Sequence, residues 1–228
     1  AGNFALKNNP IYKSDLNSVK ISRDFLFSKK GKLKQNFLDV GGGDGKLTYL
    51  LGMIKGDRYL EPHYKKNKVL FESKFEYYGT DLIDRSIKTK KSFVFGDICD
   101  SEYLKKNKKF INFFDVIYSN NVFEHLHNPF IAMENIYKML KVDGYLITVV
   151  PFAARYHQSP GDYFRYTHQG LEKIISDAGQ YKTLITGYDT SKRRFNIQGK
   201  KIQDIVPLDS FGGWRENWDV INISMKIK

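Results

Sequence analysis

A glycine-rich turn between a short apolar segment and a helix-like segment is the feature that most constrains this fold. The sequence FLDVGGGDGKL begins with a predicted strand at 37–40 and runs through Gly41, Gly43 and Gly45 into a segment at 46–54 with helical apolar spacing. Glycines at such a turn leave the backbone amides open to a ligand, because any Cβ would block its approach. The turn therefore predicts a bound nucleotide or nucleotide-like ligand.

The spacing of the glycines separates three classes of nucleotide-binding turn. The dinucleotide pattern G-x-G-x-x-G would need glycine at position 46 when counted from Gly41, and Lys46 is found there. A phosphate-binding P-loop would need Ser or Thr after Gly45 and Lys46, and Leu47 follows instead. What remains is the pattern D-x-G-x-G-x-G from Asp39 to Gly45, whose acidic residue would be unfavourable beside a pyrophosphate.

Strand-like and helix-like segments alternate from about residue 36 to residue 180, which is typical of a parallel sheet covered by helices on both faces. The predicted strands are 37–40, 75–80, 93–96, 114–119, 145–150, 181–189 and 218–228. The predicted helices are 15–27, 46–54, 129–141 and a helix from the N-cap Thr167 to Ala178, ended by Gly179 in a left-handed conformation.

The charge and the cysteine content restrict the kinds of binding partner and metal site that this chain can have. Lys and Arg total 37 against 25 Asp and Glu, a formal net charge of +12, but most of these cations are Lys, which is less suited than Arg to fixed phosphate recognition. The single cysteine, Cys99, excludes an intrachain disulfide and a cysteine-based zinc site, and no apolar run approaches the ~20 residues of a membrane span. We therefore expect a cytoplasmic protein without a membrane span. The net charge makes anionic partners plausible, and a solvated basic surface is preferred over nucleic-acid binding as its explanation.

In these motifs the sequence resembles the class I S-adenosylmethionine-dependent methyltransferases, whose first motif has the form found at 39–45. The segment FDVIYSNNVFEHLHNP at 114–129 is similar to the fourth-strand motif of the type 11 branch, which includes the UbiE-like enzymes of quinone biosynthesis. The segment at 151–167 resembles an element of a bacterial type 11 subgroup often associated with surface-glycan synthesis.

The resemblance implies an α/β, Rossmann-like class I methyltransferase fold with a seven-stranded, mainly parallel sheet of order 3-2-1-4-5-7-6 and helices on both faces. It implies S-adenosyl-L-methionine as the cofactor and S-adenosyl-L-homocysteine as the product. We expect an N-terminal extension or cap helix at 1–35 and one methyltransferase domain at 36–228, with an insert at 189–217 between the last two strands. The sequence gives no indication of the oligomeric state.

The resemblance also assigns the cofactor site to the ends of the predicted strands. Asp81 would accept hydrogen bonds from both ribose hydroxyls, Asp97 would meet the adenine amino group with Ile98 against the base, and Asn120 would line the cleft. The expected cofactor-binding residues are Asp39, Gly41, Gly43, Gly45, Asp81, Leu82, Asp97, Ile98 and Asn120. Each Asp alone is typical of a turn, and only their joint position after successive strands indicates a site.

The segment at 151–167 is expected to lie over the methyl group. Methyl transfer is an in-line displacement, and a hydroxyl acceptor must also lose a proton. His157 is the first candidate for the base and His125 the second, because imidazole titrates near neutral pH; a role in anchoring the loop stays open for both. If the acceptor oxygen is already anionic, His157 would orient it instead.

The candidate substrate-binding residues of this segment are Arg155, Asp162, Tyr163, Arg165 and Tyr166. Asp162 and Arg165 are oppositely charged and three residues apart, so a bridge that holds the loop is an equal alternative. No metal site is expected: some relatives bind a divalent metal through E-x-x-E-H at this position, and Asn121 stands where the first Glu would fall.

Together with these residues, the resemblance implies a methyltransferase that methylates an oxygen of a small anionic acceptor in capsule or surface-polysaccharide synthesis. The acceptor would be a nucleotide sugar or a precursor that carries a phosphate or phosphoramidate. Two alternatives stay open: an RNA methyltransferase, suggested by the net charge, and a non-catalytic interaction protein that binds S-adenosylmethionine.

Overall fold

The computed structural model describes residues 12–16, 18–28, 34–42, 69–82, 92–154, 156–157, 161–189 and 218–228. Its strands are β1 (Tyr12–Leu16), β2 (Gln35–Val40), β3 (Phe75–Asp81), β4 (Ser92–Phe95), β5 (Phe114–Asn120), β6 (Leu140–Ala153), β7 (Tyr181–Asp189) and β8 (Trp218–Lys226). Its helices are α1 (Ser18–Ser28), α2 (Tyr103–Lys106), α3 (Pro129–Met139) and α4 (His168–Ala178), with single 3-10 turns at Lys108–Phe110 and Phe123–His125. Residues 69–74 are also helical.

All eight strands form one sheet in the order β1-β7-β8-β6-β5-β2-β3-β4. Strand β8 is antiparallel to both of its neighbours, and every other pair is parallel. With β2 counted as the first strand of the fold, the seven strands other than β1 follow the predicted order 3-2-1-4-5-7-6, which confirms the fold class.

The N-terminal strand β1 was not predicted. Its sequence YKSDL has no apolar alternation, and it forms because its backbone pairs in parallel with the edge strand β7. The helix predicted at 15–27 therefore begins three residues later, at Ser18, where the Asp189 carboxylate accepts a hydrogen bond from the Ser18 amide. The boundary at residue 35 between an extension and a methyltransferase domain stays a prediction.

Apolar side chains alternate between the two faces of the sheet and bury helices on each. On one face, Leu38, Ile117 and Leu146 belong to a core with residues of α3 and α4. On the other face, Phe37 and Ile147 belong to a second core with residues of α1 and of the helical residues 69–74. The prediction of helices on both faces is thus confirmed.

The predicted ends of α3 and α4 are mostly correct because local capping bonds set them. The Asn128 side chain accepts from the Ile131 amide at the start of α3, which ends at Met139, two residues before the predicted end. Thr167 caps α4 as predicted, by accepting from the Gly170 amide at 3.0 Å.

The left-handed conformation predicted for Gly179 is wrong, since its φ of 167° is extended backbone. A side chain is excluded there for another reason: a Cβ on Gly179 would lie 2.3 Å from the Tyr137 ring.

Several predicted features lie outside the described residues: Gly43, Gly45, Arg155, the helix at 46–54 and residues 190–217 of the insert. Among the helices that the structure describes, none combines the length and hydropathy needed to cross a membrane.

Candidate functional site

The predicted cofactor residues that the structure describes lie along one edge of the sheet, where the parallel strands β2 to β5 have their carboxyl ends. Asp39 lies near the end of β2, Asp81 ends β3, Asp97 follows β4 and Asn120 ends β5. Two hydrogen bonds tie these ends together, from the Gly41 amide to the Thr80 carbonyl at 3.0 Å and from the Gly96 amide to the Asp81 carbonyl at 3.2 Å. This edge is where ligands bind in open α/β sheets.

The described part of the glycine turn is tightly packed. Gly41 has a φ of 70°, and a Cβ added to it would lie 2.7 Å from Val122 Cγ2. A Cβ on Gly42 would lie 2.6 Å from the Tyr77 hydroxyl. Both positions therefore require glycine on steric grounds.

Asp39 lies buried beneath this turn. Its Oδ2 accepts a hydrogen bond from the Tyr77 hydroxyl at 3.0 Å, which orients the carboxylate. Burial and the Asp39 charge raise the pKa of Tyr77 well above its ordinary value, so the phenol stays a donor. Sequence analysis missed Tyr77, although its position directly opposite Phe37 in the β2–β3 register brings it close to Asp39.

The other described cofactor candidates differ in exposure. Asp97 is partly exposed, and its Oδ1 accepts a hydrogen bond from the Cys99 amide at 2.8 Å. Ile98 is buried in the core, whereas Leu82 is exposed. Cys99 is buried, and burial raises the pKa of its thiol to about 11, which argues against a nucleophilic role.

A second cluster lies after β5, where the 3-10 turn at Phe123–His125 meets the segment after β6. The Glu124 side chain is 1% exposed, and its Oε1 lies 3.6 Å from His125 Nε2 and 4.0 Å from His157 Nε2. The two imidazole rings meet edge to face with centroids 4.9 Å apart. Burial raises the pKa of the Glu124 carboxyl to about 7. The fold thus brings both candidate bases together around a buried acid.

The segment after β6 is held in place by backbone and ionic contacts. The Glu124 carbonyl accepts from the amides of Tyr163 at 2.7 Å and Phe164 at 3.3 Å, and the Tyr166 hydroxyl donates to the Phe123 carbonyl at 2.9 Å. These bonds join the two segments that carry His125 and His157. They give Tyr166 a structural function, while the Tyr163 ring is exposed.

Asp162 and Arg165 form the bridge that was the alternative to substrate binding. Arg165 Nη2 donates to Asp162 Oδ2 at 2.8 Å and its Nη1 donates to Oδ1, and these bonds lower the pKa of Asp162 to about 2. The same carboxylate accepts from the His157 amide at 2.8 Å. Direct contact of these residues with a substrate stays a prediction.

Comparison with known proteins identifies the family. Residues 16–197, most of the chain, match the family described as Methyltransferase domain. The chain belongs to this methyltransferase family. Because of this match, the protein is a methyltransferase enzyme with the fold and domain of S-adenosylmethionine-dependent methyltransferases. No curated protein matches the sequence.

Three solved structures illustrate the similarity. The YcgJ protein from Bacillus subtilis has a TM-score of 0.57 and 11% identity over 92% of this chain and 98% of its own. The 1,6-didemethyltoxoflavin-N1-methyltransferase of Burkholderia thailandensis, with bound 1,6-didemethyltoxoflavin and S-adenosylhomocysteine, has a TM-score of 0.52 and 13% identity over 99% and 82%. Phosphoethanolamine N-methyltransferase 2 of Haemonchus contortus, in complex with S-adenosyl-L-methionine, has a TM-score of 0.53 and 16% identity over 100% and 57%. At these identities the likeness is one of fold.

Two acids of the methyltransferase were missed by sequence analysis. Glu124 directly precedes the candidate base His125, a signal that was available in the sequence. Asp219 is buried at the start of β8, opposite Pro151, and its charge contributes to the raised pKa of Glu124. Since β8 is antiparallel, its first residues reach the carboxyl edge of the parallel strands, and only the sheet topology reveals this.

Proposed function

We propose that this methyltransferase transfers a methyl group from S-adenosyl-L-methionine to an oxygen of a small anionic acceptor. The observation that carries the proposal is the contact between the two halves of the site. Val122 packs where a Cβ of Gly41 would lie, and Glu124 follows Val122 by two residues. The glycine turn and the Glu124–His125–His157 cluster are therefore neighbours on one sheet edge.

The cofactor would lie across the ends of β2, β3 and β4. Asp39 and the glycine turn would hold the amino acid part, Asp81 the ribose hydroxyls, and Asp97 the adenine amino group, with Leu82, Ile98 and Asn120 around them. Two of the similar structures contain S-adenosylmethionine or S-adenosylhomocysteine, which supports this cofactor.

The acceptor would enter at the histidine cluster. His157 is the first candidate to remove or orient a proton because 47% of its side chain is exposed, against 14% for His125. An anionic acceptor agrees with the net charge of +12. The resemblance of residues 151–167 to glycan-associated enzymes of the type 11 branch supports a nucleotide sugar, or a precursor bearing phosphate or phosphoramidate, and a cytoplasmic step of capsule or surface-polysaccharide synthesis.

The first test is calorimetry with S-adenosylhomocysteine, NAD and ATP in separate titrations. We expect S-adenosylhomocysteine to bind at one equivalent. Binding of NAD or ATP without binding of S-adenosylhomocysteine would overturn the proposal.

The second test is an acceptor screen by mass spectrometry. Nucleotide sugars and phosphorylated glycan precursors are incubated with the enzyme and S-adenosylmethionine, and we expect an oxygen-methylated product from one of them. RNA is included as a competing acceptor, and methylation of RNA alone would support the RNA methyltransferase alternative.

A further inference from the structure

Three potential metal ligands converge at the acceptor side of the site. Glu124, His125 and His157 each offer one ligand atom, and these atoms lie within 4.8 Å of one another. Two imidazoles and one carboxylate are the ligand set of catalytic zinc sites and of several other transition-metal sites. The donors come from two separate chain segments, so the group is assembled by the fold.

The Nδ1 atoms of both histidines face hydrogen-bond acceptors on the side of the ring away from Glu124. His125 Nδ1 forms a hydrogen bond with the Gly161 carbonyl, which requires a proton on Nδ1. His157 Nδ1 lies 3.7 Å from Asp162 Oδ2. In both rings this leaves Nε2 as the atom that faces Glu124. Metal-binding histidines have the arrangement of His125, in which a carbonyl behind the ring fixes its orientation, and the Asp162 carboxylate stands behind the His157 ring.

The centre of the cluster lacks the hydrogen bonds that a buried acid needs. Neither Glu124 oxygen has a hydrogen-bond partner among the described residues, although the side chain is 1% exposed. The distances of 3.6 Å and 4.0 Å to the two Nε2 atoms are too long for hydrogen bonds. The charge of the Arg165 guanidinium acts on Glu124, but its hydrogen bonds go to Asp162 and none reaches the Glu124 oxygens. A buried carboxylate in this state is unfavourable without a cation.

We propose that Glu124, His125 and His157 bind one divalent transition-metal ion. A tetrahedral ion about 2.1 Å from each ligand atom needs ligand atoms about 3.4 Å apart. The distances from Glu124 Oε1 to the two Nε2 atoms, 3.6 Å and 4.0 Å, are close to that spacing, and all three ligand atoms lie within 4.8 Å of one another, so small side-chain rotations would complete the site. No metal site was expected because Asn121 replaces the first Glu of the E-x-x-E-H element. His157 joins the group through the tertiary structure.

The chemical role of the ion rests on the proposed function, whereas its binding does not. Three protein ligands leave a coordination position open for an acceptor hydroxyl, whose pKa a divalent ion lowers. His157 would then act as a metal ligand, and its effect on the rate would come through the ion.

The experiment is a titration of the full chain, first treated with a chelator, with Co²⁺ followed by visible absorption, and with Zn²⁺ as competitor. We expect one equivalent of Co²⁺ with the intense bands of low-coordinate nitrogen and oxygen ligation. Glu124→Gln and His157→Ala should each weaken Co²⁺ binding by at least about tenfold. Glu134→Gln is the matched control, because Glu134 is exposed on α3, and it should bind Co²⁺ like the wild type.

S-adenosylhomocysteine binding and circular dichroism are measured on the same samples. If Glu124→Gln fails to fold, the result for His157→Ala decides the test, because the His157 side chain is half exposed and its removal should not prevent folding. Stoichiometric S-adenosylhomocysteine binding without Co²⁺ binding overturns the metal site and leaves the proposed function standing. Unchanged Co²⁺ affinity in folded His157→Ala also overturns it. Co²⁺ binding without methyl transfer to any acceptor supports the metal site and counts against the proposed function.

Discussion

Ser18 and Asp189 lie 171 positions apart in the sequence, and the Asp189 carboxylate accepts hydrogen bonds from both the amide and the hydroxyl of Ser18. The two bonds are 2.7 Å and 2.6 Å long, and both residues are buried. This carboxylate caps α1 from the end of β7. It fastens the N-terminal segment to the strand that precedes the undescribed residues 190–217.

Asp189→Ala should lower the free energy of unfolding by about 1–3 kcal/mol, because it removes a helix cap and leaves buried donors without their acceptor. Urea denaturation measures the change. The control is Asp177→Ala, whose exposed side chain pairs with Lys173 on the same helix, and it should change stability by less than about 0.5 kcal/mol. Equal effects of the two variants would refute the capping role.

Gly41→Ala should destabilise the protein and weaken S-adenosylhomocysteine binding. A left-handed alanine is strained by about 1–3 kcal/mol, and its Cβ would lie 2.7 Å from Val122 Cγ2. Calorimetry and thermal unfolding measure both effects. Adding Val122→Ala removes the clash but not the strained φ, so the double variant should recover part of the loss. A double variant no better than Gly41→Ala would show that the clash is unimportant.

Asp81→Ala should weaken S-adenosylhomocysteine binding at least tenfold, since each hydrogen bond from a ribose hydroxyl to a carboxylate contributes about 1.5–3 kcal/mol. Isothermal titration calorimetry measures the affinity. Glu76→Ala is the matched control, because Glu76 is an exposed acid on the same strand. Unchanged affinity in Asp81→Ala would remove this residue from the cofactor site.

Lys226→Met should destabilise the fold by about 1–3 kcal/mol, because the buried ammonium donates to the Tyr137 and Leu140 carbonyls and to Asn112 Oδ1. Urea denaturation measures the change. The exposed Lys182 on β7 offers a control, and Lys182→Met should leave stability nearly unchanged.

The pH dependence of the stability difference between the wild type and Lys226→Met gives a further prediction. Burial lowers the pKa of Lys226 in the folded state below its ordinary 10.5, so the unfolded chain binds more protons as the pH approaches 10.5. The wild type should therefore gain stability relative to Lys226→Met over that rise in pH. Denaturation midpoints at neutral and alkaline pH measure the difference, and an opposite slope would contradict the lowered pKa.

Local signals made much of the fold predictable. The Thr167 cap was predicted because it depends on a residue three positions away, and the Asn128 cap, which was not predicted, has the same spacing. The need for glycine at the end of β2 was predictable for the same reason, and the positive φ of Gly41 agrees with it. The order of the seven strands followed only from the resemblance to a known family.

The sequence by itself determined the alternation of strands and helices over the described residues, the acids after successive strands and the two candidate histidines, since all of these are properties of neighbouring residues. Only the tertiary structure decided that β1 extends the sheet beside β7 and that Asp219 lies at the sheet edge formed by the carboxyl ends of the parallel strands. It also decided that Glu124 is buried between His125 and His157. These features depend on which distant segments pair and on which groups the pairing removes from water. The desolvation of a carboxylate is set by the atoms that surround it in space, and adjacency along the chain does not specify them.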